Sequence, residues 1–86
     1  MTPAQKELLR ITLLAQLDEA RQGITAQSLA FCLKAAAFKL SAEDVEREME
    51  YLISKGFAAQ ERSGISAGLK LYKITAAGTD YLEANG

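Results

Sequence analysis

The stretch from Lys55 to Leu82, KGFAAQERSGISAGLKLYKITAAGTDYL, constrains this chain most, because it sets out in order a helix stop, a strand, a turn, a second strand and a capped helix. Gly56 has no β-carbon and can take the left-handed conformation that ends a helix. The runs Phe57 to Arg62 and Leu69 to Ile74 are short and alternate in polarity. Joined by SGISAG, they predict a β-hairpin. Along it, Lys70, Tyr72 and Ile74 share one face, while Phe57, Ala59 and Glu61 alternate with Ala58, Gln60 and Arg62. One face is therefore expected to pack inward and the other to stay wet. Thr75 is placed to cap a last helix, from which Tyr81 and Leu82 return to the body of the domain.

Three helices are expected upstream. Thr2 caps the first, Pro3 suits its first turn, and Gln5 stands where a capping-box partner reaches back. Leu9, Leu13 and Leu17 recur every four residues, Leu8, Ile11 and Leu14 widen the apolar arc, and Gln22 with Gly23 supplies the stop. That arc is broader than one core requires, and both a buried central helix and a partner subunit account for it. Thr25 caps a second helix, AQSLAFCLKAAA, in which Leu29, Ala30, Leu33 and Ala37 form a small, tight face, with Phe38 and Leu40 anchoring the turn that follows. Ser41 and Asp44 open a third helix, which sets Val45, Met49, Leu52 and Ile53 on one side and ends at Lys55 and Gly56.

The composition removes several classes of function. A chain of 86 residues suits one domain, 1–86, with a modest core and no separate catalytic or sensor domain beside it. Cys32, the single cysteine, cannot form an intramolecular disulfide, and it reads as a buried structural thiol among apolar neighbours. Histidine, the commonest zinc ligand and general base, is absent, so no enzyme, metal site or cofactor is expected. Gly64 and Gly68 match no phosphate-cradling motif. No apolar run is long enough to cross a bilayer and MTPAQKE is not a signal peptide, so the expected compartment is the cytoplasm and no membrane partner is expected.

The segments LAFCL, LSAEDVEREMEYLISKGF and LYKITAAGTDYL resemble the winged-helix regulators of the MarR, PadR and ArsR type, and the resemblance covers nearly the whole chain. Its marks are Leu29 and Ala30 in helix two, Ser41 opening helix three, the apolar-Lys-Gly-apolar step from Leu52 to Phe57, and Tyr72 to Gly78 after the wing. It implies a mainly α, α+β winged helix-turn-helix domain with a three-helix core, a two-stranded β-wing and a C-terminal helix. Ile24 would add a one- or two-residue strand to the wing. The implied function is a small bacterial or phage transcription regulator that binds double-stranded DNA, as a homodimer through helix one and the last helix. Helix three would enter the major groove and the wing would touch phosphates or the minor groove.

The charges pull in two directions. A formal net charge of −1 provides no overall positive field, so DNA binding has to come from a local patch. Helix three would expose Glu43, Glu46, Arg47, Glu50 and Ser54. Carboxylates can accept from cytosine but gain nothing from phosphates. Glu43 and Arg47 would form an ordinary i,i+4 pair on a solvated face. Lys34 and Lys39 flank the turn before helix three, and Arg62, Lys70 and Lys73 surround the wing. With Arg47 they are the candidate DNA contacts, and Ser63, Gly64, Ser66 and Gly68 would let backbone approach the phosphates. Ordinary solubilising lysines are the competing account. The alternative function is a protein-recognition module whose acidic face, Glu43, Glu46 and Glu50, docks on a basic partner. Tyr51 and Tyr81 read as packing residues rather than as a base-stacking surface.

Overall fold

The computed structural model describes residues 2–62 and 69–85, and the expected roles of Ser63, Gly64, Ser66 and Gly68 lie outside that range. Its elements are α1 (Pro3–Glu19), α2 (Ala26–Ala35), α3 (Ala42–Ser54), β1 (Ala58–Arg62), β2 (Lys70–Ile74) and α4 (Ala76–Asn85).

Each helix starts where its cap predicts. Thr2 Oγ1 accepts from the Gln5 amide at 3.2 Å and the Thr2 amide donates to Gln5 Oε1 at 2.9 Å, a reciprocal capping box. Ser41 and Asp44 repeat that box at α3, and the Thr25 and Thr75 hydroxyls accept from the Ser28 and Gly78 amides. α1 stops at Glu19, earlier than the expected Gln22–Gly23 stop. Gly23 serves a different purpose: at φ +106° it turns the chain beside β2, where an added β-carbon would stand 3.0 Å from Leu71 Cβ. Ile24 then forms a single-residue bridge to Tyr72, with N–H···O bonds of 3.1 and 2.8 Å, so the short third strand is real.

α2 and α3 end in the same way. The Phe38 and Ala37 amides donate to the Leu33 and Lys34 carbonyls, and the Phe57 and Gly56 amides donate to those of Leu52 and Ile53. Both are Schellman motifs, which need a left-handed residue just past the helix. Gly56 fills that position at φ +81°, but after α2 it is Ala37, at φ +67°. Ala37 is therefore an exposed capping residue, not part of the tight helix face expected of it. The second motif also claims Phe57, so β1 begins at Ala58 rather than Phe57, and β2 begins at Lys70 rather than Leu69.

The core is apolar among the described residues. It joins Leu9, Leu13, Leu14 and Leu17 of α1 to Leu29 and Leu33 of α2, Val45, Met49 and Leu52 of α3, and Ala58 and Tyr72 of the hairpin. The hairpin is antiparallel, in register from Ala58 opposite Ile74 to Arg62 opposite Lys70. α4 closes on its base: Phe57 stacks on Tyr81 at 4.6 Å between ring centres, and the Tyr81 hydroxyl donates to Glu7 of α1 at 3.1 Å. Tyr81 is thus a packing residue, as expected. Cys32 is half-buried rather than buried, because Leu29 and Leu33 take the inward positions of α2. No helix among the described residues is long and apolar enough to cross a membrane.

A candidate nucleic-acid face

α3 presents Glu43, Glu46, Arg47, Glu50 and Ser54 to solvent, as its apolar spacing requires. The expected Glu43–Arg47 pair does not form. The capping box fixes Asp44 with one oxygen on the Ser41 amide, and its other oxygen receives Arg47 Nη1 at 3.3 Å. The Ser41 amide and hydroxyl, followed by Arg47, hold the Asp44 carboxyl below the usual carboxylate range. No ion pair among the described residues engages Glu43, Glu46 or Glu50.

Glu48 is withdrawn from that face. Its carboxylate meets Arg10 of α1 at 3.1 Å, and the same guanidinium lies 3.7 Å over the Tyr51 ring. This clamp ties α1 to α3 across 38 positions of sequence, which no local pattern announces. It borders a groove of about 690 Å³ between α1, α3 and α4, where Lys6, Lys55 and the Phe57–Tyr81 stack complete the lining.

The candidate cations fall into two groups. Lys34 and Lys39 are exposed on either side of the α2–α3 turn and line one hollow with Ala37 and Leu40. On the wing, Lys73 is paired across the strands with Glu61, whereas Arg62 and Lys70 face each other directly in the hairpin register and are both exposed. Like charges directly opposite destabilise a hairpin unless an anion lies between them.

A cleft of about 260 Å³ separates the wing from the helices, with Glu46 of α3 and Gln27 of α2 on one side and Lys70 on the other. Tyr72 forms part of its lining. Burial, then the charges of Glu46 and Glu50, push the Tyr72 hydroxyl's ionisation up, so it stays a donor. The cleft thus brings a residue expected to touch DNA and one assigned to the acidic alternative into the same place.

Searches by sequence match no protein-family model and no curated protein. Solved structures do match. A mutant MarR from E. coli complexed with operator DNA superposes with a TM-score of 0.77, at 21% identity, over 98% of this chain and 52% of that one. The chain has the winged helix-turn-helix fold. A mutant MepR from S. aureus bound to an oligodeoxyribonucleotide gives 0.77 at 19% identity over 88% of this chain and 52% of that chain. The PcaV transcriptional regulator from Streptomyces coelicolor, in complex with its natural ligand, gives 0.74 at 14% identity, over 96% of this chain and 51% of that chain. The chain spans about half the length of these structures.

Proposed function

We propose that this winged-helix protein binds double-stranded DNA as a transcription regulator, with α3 in the major groove and the wing on the flanking phosphates. The observation that carries the reading is the facing pair Arg62 and Lys70, two exposed cations in a geometry that calls for an anion. The likeness to a MarR complexed with operator DNA supports the DNA reading. Lys34 and Lys39 supply a second phosphate contact at the α2–α3 turn. Lys73 and Arg47, already held by carboxylates, add less. α1 carries Leu8 at 56% exposure, the remainder of an apolar arc wider than the core, and a homodimer through α1 and α4 would cover it.

The test is a titration of fluorescent random-sequence duplex at low and moderate salt. Affinity should fall with salt, and Arg62→Ala with Lys70→Ala should lower the slope of log affinity against log salt by about 2. Lys73→Ala should change it less. Absence of salt-dependent binding to any duplex would end this reading. The exposed carboxylates Glu43, Glu46 and Glu50, free of ion pairs among the described residues, favour a second reading in which that face docks on a basic protein. Changing all three to lysine should strengthen duplex binding under the first reading and abolish partner binding under the second.

A further inference from the structure

α3 offers its groove-facing side more hydrogen-bond acceptors than donors. One nitrogen of the Arg47 guanidinium is engaged by Asp44 and the Ser54 hydroxyl donates to the Tyr51 carbonyl at 2.6 Å, while Glu43, Glu46 and Glu50 present three carboxylates with no ion pair among the described residues. In the major groove only the exocyclic amino groups of cytosine and adenine donate. Adenine's amino group sits beside N7, whose lone pair repels a carboxylate, whereas cytosine's sits beside a carbon–hydrogen bond. Carboxylates in that groove therefore select cytosine.

The cleft between α3 and the wing singles out one of the three. Glu46 lines it from α3 and Lys70 from the wing, so an acceptor for a base and a cation for a phosphate border one cleft. Tyr72 lines the same cleft, is 2% exposed, and its ring belongs to the core. Burial, followed by the charges of Glu46 and Glu50, keeps its hydroxyl protonated, so it remains a donor near those acceptors. That donor can hold one carboxylate oxygen and leave the other for a base.

We propose that Glu46 is the base-reading residue of this protein: it accepts from a cytosine amino group in the major groove while Lys70, across the same cleft, contacts an adjoining phosphate, and Tyr72 positions the carboxylate. The proposal rests on the DNA reading above. The experiment selects duplexes from a random-sequence pool and then measures affinity for the selected site. Parallel titrations use the site with its cytosine pair replaced by thymine–adenine and with the cytosine methylated on its amino nitrogen. For the native protein each change should weaken binding about tenfold. With Glu46→Ala, an exposed helical position that tolerates alanine, the same changes should matter less than about twofold. Tyr72→Phe should reduce the discrimination between the selected site and its two altered forms. Duplex binding without a fixed cytosine, or discrimination that survives Glu46→Ala, would overturn the proposal and leave the DNA reading standing. Failure of the native protein to bind any duplex would overturn both.

Discussion

Gly78 offers the sharpest check on how α4 holds the wing. Helix propensity alone predicts that Gly78→Ala stabilises the protein by about 1 kcal/mol, since alanine is the better helix former. The structure predicts the opposite. An alanine β-carbon at Gly78 would stand 2.0 Å from the Phe57 carbonyl oxygen and 2.8 Å from Ile74 Cγ1. Reaching even 3.0 Å requires a shift of about 1 Å, and Phe57 cannot give way cheaply. Its amide is bonded to Leu52, its carbonyl accepts from the Thr75 amide at 3.1 Å, and its ring stacks on Tyr81. Overpacking costs about 1–3 kcal/mol, the Thr75 bond about 1 kcal/mol and the aromatic stack about 0.5–1.5 kcal/mol. After the propensity gain of about 1 kcal/mol, the net loss is about 1.5–4.5 kcal/mol. In a domain of this size, at about 4–8 °C per kcal/mol, that lowers the melting temperature by roughly 6–36 °C. Thermal unfolding followed by far-ultraviolet circular dichroism would measure it. Ala77→Gly, at the exposed neighbouring position, serves as the control and should cost about 1 kcal/mol. A neutral or stabilising Gly78→Ala would refute the close approach of α4 to the hairpin base.

Other expectations follow from particular contacts. At the two Schellman positions, Ala37→Gly should stabilise by about 0.5–1 kcal/mol and Gly56→Ala should destabilise by about 1 kcal/mol, because nothing lies within 4 Å of the latter's added β-carbon and only the left-handed backbone opposes it. Chemical denaturation of both variants checks the pair. Arg10→Met should cost about 1–2 kcal/mol by the same measurement, since it removes both the part-buried Glu48 pair and the cation over Tyr51. The Asp44 carboxyl titrates below its unfolded value, so its contribution is present above about pH 4 and is lost as pH falls through the folded value. Asp44→Asn should flatten the fall in melting temperature over that acid range.

The parts of the fold legible in the sequence were those that local chemistry determines. Thr2, Thr25, Ser41 and Thr75 announced their helices because a cap bonds within three residues of itself. The core leucines were legible for the same reason, since a 3.6-residue period is a property of one helix at a time. Ala37 was misread because alanine is a helix former and carries no sign of a left-handed cap; only the need of Phe38 to reach the Leu33 carbonyl puts it there. Phe31, at 76% exposure, shows the converse limit, because an apolar residue one position off the inward face of α2 looks like core in a list of residues.

The candidate site was legible in charge but not in availability. An acidic third helix and a basic wing can be read directly from the residues, yet which charges remain free depends on contacts between elements. Arg10 takes Glu48 from another helix, Glu61 takes Lys73 from the neighbouring strand, and Asp44, oriented by its own cap, takes Arg47. Among the described residues the charges left without an ion pair include Lys34 and Lys39 at the turn, Glu43 and Glu50 on α3, Arg62 opposite Lys70, and Glu46 across a cleft from Lys70, positions 24 residues apart in sequence. The sequence poses the acidic helix as an argument against DNA. On the proposed DNA reading it becomes a division of labour, in which the wing and turn would supply affinity through phosphates and the helix would supply acceptors for base edges. A protein that works in this way should bind non-specific duplex weakly and discriminate strongly, because an acidic base-reading surface would repel any backbone that does not also offer it a donor.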